Sequence, residues 1–242
     1  MAASSIRRAA MTHILLTGSS RGIGAAIAAA LTDAGATVTG HASSSGAGGG
    51  IAADFAQPGA AQALWDAASA RAPIDILVNN AGIFEANPID ADDWGDAWER
   101  TMRVNLTASA ELCRLAVRDW QSRGGGGRIV NIASRAAYRG DSPAHWHYAA
   151  SKAGMVAMTK TIARGYARAG ILAFAICPGF TMTGMAEEYL ESRGGDALLA
   201  DIPLGRVAAP EEVAAAAKFL ALDAPASMTG AVIDVNGASY VR

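Results

Sequence analysis

Short apolar segments alternate with longer helical patterns along almost the whole chain. The predicted strands, rich in branched residues, are HILLT, ATVTG, GIAAD, IDILVNN, GRIVNIA, ILAFAIC and AVIDVN. Most are separated by alanine-rich stretches of helical length, such as GIGAAIAAALTDAG and TASAELCRLAVRDWQS. This alternation predicts a parallel sheet with helices on both faces, and strands that are apolar throughout suit a sheet covered on both sides. We therefore expect an α/β fold, a single-domain, doubly wound parallel sheet of about seven strands.

The composition fits one folded domain. The chain has 242 residues, of which 51% are hydrophobic and 17% charged, and this balance argues against disorder. A formal charge of −2 and a pI near 6.1 indicate no basic surface for nucleic acid. Cys113 and Cys177 stand in apolar runs, so we expect reduced core thiols. No apolar run is long enough to cross a bilayer.

Three segments depart from the regular pattern. We expect residues 1–10 to be a disordered N-terminal extension, with Met11 as an alternative start, and residues 11–242 to form one cytoplasmic domain. The segment 41–50 is too short and glycine-rich for a full crossover helix. The long interruption 180–203 is expected to act as a mobile substrate lid, or else to be a surface excursion without a gating role.

A glycine-rich turn follows the first predicted strand, in TGSSRGIG at residues 17–24. Gly18, Gly22 and Gly24 allow a tight turn, close approach of a pyrophosphate and packing of the next helix on the strand. The N-terminus of that helix offers free N–H groups and a partial positive charge to phosphate. The spacing G-x-x-x-G-x-G differs from the common dinucleotide fingerprint, so the turn alone is weak evidence for a dinucleotide site. The predicted strand before it and the predicted helix after it strengthen that interpretation.

The residues after the second strand bear on the choice of dinucleotide. An acidic residue there would bind a ribose 2′-hydroxyl, but VTGHASSS contains no acid, and the next one is Asp54. Arg21 supplies a cation, and Ser43 and Ser44 supply hydroxyls. NADP(H) is therefore favoured over NAD(H), unless these serines belong only to an exposed flexible loop.

Two short motifs point to chemistry farther along the chain. NNAG, at residues 79–82, closes the fourth predicted strand, where Asn can tie backbone groups and Ala-Gly leaves room for a flat ligand. In YAASK, Tyr148 and Lys152 lie one helical turn apart on the same face. An ammonium group beside a phenol would lower the phenol pKa and make it a usable acid, whereas an incidental surface pair is the simpler alternative.

TGSSRGIG, NNAG and YAASK, in that order, resemble the short-chain dehydrogenase/reductase superfamily. The resemblance runs from about His13 to the C-terminus and includes Asn105 in VNLTAS, Ser134 in NIASRAA and CPG at residues 177–179. Within the superfamily the pattern is most similar to the 3-oxoacyl-[acyl-carrier-protein] reductase-like branch. The resemblance implies a Rossmann-type fold and an NAD(P)-dependent oxidoreductase that interconverts a ketone or aldehyde and an alcohol.

The resemblance also implies roles for individual residues. Tyr148 would be the general acid and base, Ser134 would hydrogen-bond the substrate oxygen, Lys152 would also hold the nicotinamide ribose, and Asn105 would anchor a water that refills the proton. Asp54 matches the family residue that meets the adenine amino group, and Thr183 matches a threonine that touches the nicotinamide end of the cofactor. The full expected cofactor set is Gly18, Ser20, Arg21, Gly22, Ile23, Gly24, Ser43, Asp54, Phe55, Asn80, Ala81, Gly82, Tyr148, Lys152, Pro178, Gly179, Thr181 and Thr183. Gly184 stands where many relatives carry Asp, which puts the local geometry there in question.

Several alternatives remain open from the sequence. HWH at 145–147 is interpreted as a substrate-pocket rim rather than a metal pair, so no metal site is predicted. Arg135 and Arg139 either favour an anionic substrate or are simply solvated. The function could instead be that of an NAD-dependent alcohol or sugar dehydrogenase, a lyase or epimerase, or a dinucleotide sensor without turnover.

Predicted partners are a small-molecule carbonyl or alcohol substrate and further copies of the chain. The family commonly forms tetramers, and the helices near 101–122 and 148–169 are expected to offer alanine-rich packing surfaces, so a homotetramer is favoured over a dimer. Acyl carrier protein is a weaker expectation, for which a basic patch near the site entrance would be needed. The arginines that could contribute are Arg123, Arg128, Arg164 and Arg168.

Overall fold

A computed structural model describes residues 12–44, 50–182 and 195–242. The N-terminal extension and half of the 180–203 segment, including Thr183 and Gly184, lie outside the described residues, so the expectations about them remain predictions.

Seven strands and at least eight α-helices make up the described residues. The strands are β1 His13–Leu16, β2 Thr37–Ala42, β3 Ile51–Ala52, β4 Ile76–Asn79, β5 Gly127–Ile132, β6 Ile171–Pro178 and β7 Val232–Val235. The first six helices are α1 Gly22–Asp33, α2 Ala60–Ser69, α3 Trp94–Met102, α4 Ala108–Ser122, α5 Ala136–Arg139 and α6 Trp146–Tyr166. Two further helices, Gly195–Ala200 and Pro210–Lys218, precede β7. Every predicted strand is present, within a few residues at its ends.

The strands form one fully parallel sheet in the order β3-β2-β1-β4-β5-β6-β7. The predicted doubly wound Rossmann-type sheet is therefore confirmed. The order reverses between β1 and β4, and in open sheets of this kind a crevice for ligands lies at the carboxyl ends of the strands at that reversal. The glycine turn after β1 and NNAG after β4 both lie there.

Side chains of successive strand residues enter two separate cores, one on each face of the sheet. In β1, Leu15 packs with Leu112 of α4 and Trp120, whereas Ile14 and Leu16 pack with residues of α1 and of the Pro210–Lys218 helix. This explains why the strands are apolar throughout. Cys113 and Cys177 are both buried free thiols, as predicted.

The described helices include none that is both long and apolar enough to span a membrane.

Candidate active site

The glycine turn after β1 is closely packed against the start of α1. Gly18 has a φ of +65°, which favours glycine, and a Cβ on Gly24 would lie 1.9 Å from the carbonyl oxygen of Gly18. No side chain caps the N-terminus of α1, where Arg21 has an extended backbone. The first N–H groups of a helix of twelve residues thus remain available to a phosphate. This cradle, which a side chain would fill, fits a dinucleotide pyrophosphate.

Side chains at the ends of β1 and β4 hold this turn in place. The hydroxyl of Thr17 accepts hydrogen bonds from the backbone N–H groups of Asn80 and Ala81, at 2.9 and 3.0 Å. The Asn80 side chain in turn donates to the carbonyl oxygens of Thr17 and Gly18, at 3.1 and 2.9 Å. The expectation that Asn in NNAG ties backbone groups is therefore confirmed.

The residues expected to select the dinucleotide lie at the surface. Ser20, Arg21 and Ser43 are exposed, and no ion pair involves Arg21 within the described part of the chain. Asp54 is also exposed, and one of its carboxylate oxygens accepts from the N–H of Ala56 at 3.0 Å.

The Phe55 side chain does not lie at the surface of the site, where a cofactor contact was expected. Its side chain is only 5% exposed and stacks on the His41 ring, with the ring centroids 4.3 Å apart. Phe55 therefore belongs to the core beneath the site. The sequence indicated nothing special at His41, which lies directly under the glycine turn.

Three predicted catalytic side chains meet beyond the ends of β5 and β6. Ser134 follows β5, while Tyr148 and Lys152 lie one turn apart on α6, as predicted. The Ser134 hydroxyl is placed beside Tyr148, where it favours a lower pKa of the phenol, and it accepts a hydrogen bond from the N–H of Ala136 at 3.1 Å. The ammonium of Lys152 donates to the carbonyl oxygen of Ile132 at 2.9 Å and lies 5.7 Å from the centre of the Tyr148 ring.

Lys152 alone, without the charged nicotinamide ring that the family expectation also includes, does not lower the Tyr148 pKa. Burial raises the pKa of Tyr148 to about 12, and the nearby Ser134 hydroxyl opposes that rise only in part. Burial likewise lowers the pKa of Lys152 to about 8. Desolvation dominates both shifts because each charged form loses its contact with water.

Asn105 lies in a π-helical turn, Arg103–Thr107, between α3 and α4. Its side chain is fully buried, donates to the Ile83 carbonyl oxygen at 2.9 Å and accepts from the Ile83 N–H at 2.8 Å. A Cβ on the exposed Gly82 would lie 3.2 Å from Asn105 Oδ1 and 3.4 Å from Lys152 Nζ. Asn105, Lys152 and Gly82 therefore border one small space, the place where the ribose and a water were expected.

Two arginines after Ser134 are paired with one distant carboxylate. Arg135 and Arg139 both form ion pairs with Asp201, and the Arg135 guanidinium lies 4.8 Å from the centre of the Phe180 ring. Asp201 lies more than 60 residues away in sequence. A preference of these arginines for an anionic substrate stays a prediction.

An aromatic wall, made of Phe84 and His145, stands beside Tyr148. Phe84 stacks on His145 with centroids 4.0 Å apart and meets the Tyr148 ring edge-on at 4.8 Å. The wall continues into a groove of about 320 Å³ lined by Pro88, Ile89, Asp90, Pro143, Ala144 and Trp146. Phe84 is the second residue after NNAG, a position at which the sequence gave no signal beyond an apolar residue.

The remaining residues of the predicted cofactor set have structural contacts near the carboxyl ends of the strands. Gly22 forms part of the turn with a φ of +53°, and Ile23 packs on the core below α1. Pro178 accepts from the Arg135 N–H at 2.9 Å, Gly179 packs closely on Asn236, and the buried Thr181 forms a bridge to Ala208. Among the described residues, no three His, Cys, Asp or Glu side chains are gathered as a metal site would require.

The four arginines considered for a carrier protein lie at the opposite edge of the sheet. Arg123 precedes β5 and Arg128 is its second residue, while Arg164 and Arg168 precede β6. All four therefore lie near the amino ends of these strands, whereas Ser134 follows the carboxyl end of β5. Arg123 is paired with Asp119. They do not form a basic patch beside Tyr148.

Comparisons with known proteins agree with this geometry. The family described as enoyl-(acyl carrier protein) reductase matches residues 18–238. The 3-oxoacyl-acyl-carrier-protein reductase FabG of Vibrio harveyi is 36% identical, with 94% of this chain and 96% of that protein covered. The chain is a short-chain dehydrogenase/reductase. As a member of that superfamily it is an NAD(P)-dependent oxidoreductase.

Other short-chain dehydrogenases/reductases are equally similar but carry different names. The D-threitol dehydrogenase of Mycolicibacterium smegmatis is 37% identical over 94% of this chain and 92% of its own length. A candidate NAD(P)-dependent gluconate 5-dehydrogenase from Beutenbergia cavernae, solved with NADP at low occupancy, is 32% identical, has a TM-score of 0.85, and is matched over 94% of this chain and 96% of that one. The similarities establish the reaction class and leave the substrate open.

Proposed function

We propose that this protein is an NADPH-dependent carbonyl reductase, with Tyr148 as the general acid. The observation that carries the proposal is the placement of two hydroxyls, Ser134 and Tyr148, beside the buried ammonium of Lys152. Two hydroxyls pointed at one place can both bind a carbonyl oxygen, which is where negative charge develops during reduction.

Side chains of the protein supply the proton that the reduction requires. A nicotinamide bound at this site would supply the hydride that the carbonyl carbon accepts. Tyr148 donates its proton to the carbonyl oxygen, and Ser134 stabilises that oxygen until the alcohol has formed. Oxidation of the alcohol is the reverse, with the phenolate as base.

Lys152 and Asn105 support the proton transfer in this proposal. Lys152 holds the nicotinamide ribose, and its positive charge favours the phenolate left after proton donation. The space bordered by Lys152 Nζ and Asn105 Oδ1 at Gly82 suits a water that returns a proton to Tyr148. Asn105 also fixes the segment after NNAG through its two bonds to Ile83.

NADP(H) is proposed over NAD(H). Arg21 is exposed without an ion pair in the described chain, and Ser43 is exposed at the end of β2. No acidic residue lies in the sequence between the end of β2 and Asp54. A 2′-phosphate would gain a cation and a hydroxyl there and meet no carboxylate.

The substrate proposed is a ketone or aldehyde with an apolar body, including the 3-oxoacyl class. The wall of Phe84 and His145 and the groove beyond it favour apolar groups next to the reacting carbonyl. An NAD-dependent sugar or alcohol dehydrogenase is the second candidate, in view of the threitol and gluconate relatives. The pairing of Arg135 and Arg139 with Asp201 leaves less positive charge for a sugar acid.

The test is nucleotide binding and turnover by the purified protein. We expect NADPH to bind more tightly than NADH by nucleotide fluorescence, and apolar ketones to be reduced faster than sugar acids or polyols are oxidised. Tyr148→Phe should keep NADPH binding and lower kcat by at least about 100-fold. Preference for NADH would contradict the cofactor proposal, and unchanged turnover in Tyr148→Phe would contradict the assigned acid.

We further propose that residues 11–242 act in the cytoplasm as one domain assembled into a homotetramer.

A further inference from the structure

His41 is a buried histidine with both ring nitrogens engaged directly below the dinucleotide site. Nδ1 accepts a hydrogen bond from the backbone N–H of Gly18 at 3.1 Å. Nε2 lies 2.8 Å from the carbonyl oxygen of Ala53, and the ring stacks on Phe55. The residue is 3% exposed.

These partners fix one protonation state of the ring. A backbone N–H can only donate, so Nδ1 must carry a lone pair; a carbonyl oxygen can only accept, so Nε2 must carry the proton. The neutral imidazole with its proton on Nε2 satisfies both. A second proton on Nδ1 would point at the N–H of Gly18 and break that bond.

The main chain of His41 reinforces the connection. Its carbonyl oxygen accepts from the N–H of Ser19 at 2.9 Å and from the Ser19 hydroxyl at 3.2 Å. Ser19 and Gly18 are the first residues of the glycine turn, and Ala53 directly precedes Asp54. One residue thus joins the phosphate-binding turn to the loop expected near the adenine.

We propose that His41 is a positioning residue for the dinucleotide, and that its neutral ring holds the glycine turn in the conformation that binds the pyrophosphate. The inference rests on the proposed NADPH binding. Protonation of His41 is expected to weaken cofactor affinity without touching the reacting groups.

The surroundings of the ring predict the direction in which cofactor affinity changes with pH. Burial lowers the pKa of His41, and only the bond to the Ala53 carbonyl opposes this. The groups in contact with the ring are Gly18 from the turn, Ala53 and Phe55, none of which is ionisable. The ionisable residues that lie closest to these partners along the chain are Arg21 at the N-cap of α1 and Asp54, whose carboxylate is bonded to Ala56. Affinity should therefore be full at neutral pH and fall as the pH drops below the ordinary histidine range.

The experiment measures the Kd for NADPH of the full-length protein between pH 5 and pH 8. His41→Asn keeps an acceptor at the Nδ1 position that does not titrate, whereas His41→Leu removes the acceptor. At pH 7.5 we expect a rise in Kd of about tenfold for His41→Leu and less than about threefold for His41→Asn. Toward pH 5, affinity should fall more in the wild type than in His41→Asn. Because the 2′-phosphate also titrates near pH 6, only this difference between proteins is informative.

His13→Asn is the matched control. His13 is also a buried histidine with both ring nitrogens engaged, at 3.0 Å from the Ala72 oxygen and 2.8 Å from the Thr39 hydroxyl, but it begins β1, at the far end of the strand from the turn. Its substitution should lower thermal stability and leave Kd and its pH profile unchanged.

The outcomes separate this inference from the proposed function. If the wild type binds NADPH but has the same pH profile of Kd as His41→Asn, the role of His41 is overturned and the proposed function stands. The same holds if His13→Asn raises Kd as much as His41→Leu does. Should His41→Leu fail to fold, the comparison with His41→Asn still decides. Tighter binding of NADH would overturn the NADP proposal, and the His41 comparison would then be made with NADH. Binding of neither nucleotide would overturn both.

Discussion

At the scale of single residues, burial governs the chemistry of the site. Burial shifts both Lys152 and Tyr148 toward their neutral forms, with pKa values of about 8 and about 12. The presence of one ammonium 5.7 Å from the ring does not prevent the rise that the loss of water around the phenolate causes. A lowered phenol pKa, which the sequence led us to expect, therefore requires positive charge beyond that of Lys152, and the oxidised nicotinamide ring carries such a charge.

The Lys152 pKa predicts how stability changes with pH. The pKa is lowered on folding from 10.5 to about 8, so between these values the unfolded chain binds more protons and stability rises with pH. From pH 8 to pH 10 we expect this residue to add about 2 kcal/mol to the free energy of unfolding of the cofactor-free protein. Urea unfolding of wild type and Lys152→Met at both pH values measures the difference. Tyr148 and the buried thiols are shared by both proteins, so their effects cancel, and an equal pH response in the two would contradict the prediction.

At the scale of elements, the turn between β1 and α1 depends on close backbone contacts. A Cβ on Gly24 would meet both the Gly18 carbonyl and, at 2.6 Å, the Asn80 amide nitrogen. Neither can move freely, because Asn80 is bonded to the same turn. The glycine at this position is thus required by packing of the helix on the turn, as the sequence predicted.

Alanine substitutions at two helical glycines test this requirement. Gly24→Ala should displace the turn and raise the Kd for NADPH by at least about tenfold. Gly165→Ala is the control, because Gly165 is exposed on α6 and a Cβ there meets nothing within 4 Å. It should leave Kd unchanged and raise the free energy of unfolding by about 0.5–1 kcal/mol. Equal Kd values for the two variants would show that the turn tolerates a side chain.

The sequence predicts these elements far better than it predicts the contacts between them. The strands were predictable because both faces of the sheet are covered, which makes each strand apolar throughout. The π turn at Arg103–Thr107 was not, since it differs from an α-helix only in hydrogen-bond register and no residue type marks it. His41 likewise looked like an ordinary residue of β2, because its partners Gly18 and Ala53 come from other segments.

At the scale of the whole molecule, the order of the motifs along the chain determines where the site lies. The borders of the site depend on contacts between residues that are far apart in sequence. Parallel strands bring their carboxyl ends to one edge, so the motifs after β1, β4 and β5 had to meet there. The pairing of Arg135 with Asp201 joins segments whose relative positions follow only from the completed fold. The aromatic wall is a second example, since Phe84 and His145 come from different parts of the chain.

The surfaces expected to hold the tetramer differ from the sequence prediction. On α4, Ala108 and Ala116 are buried and the exposed positions include Arg114 and Arg118, so its outer face is not rich in alanine. On α6, in contrast, Ala150 and Ala157 are exposed. Close packing between copies of the chain is therefore proposed at α6, with the α4 arginines beside it.

Light scattering in solution tests this assembly. We expect a mass about four times 24.6 kDa for the wild type. Ala157→Arg places a charged side chain in the middle of the exposed face of α6, so the tetramer should dissociate to smaller species, because an unpaired charge buried at an interface is costly. Ala29→Arg, at an exposed alanine of α1 on the other face of the sheet, should stay tetrameric. A wild-type monomer would contradict the tetramer itself, whereas a tetrameric Ala157→Arg would leave the tetramer standing and show that α6 does not form its interface.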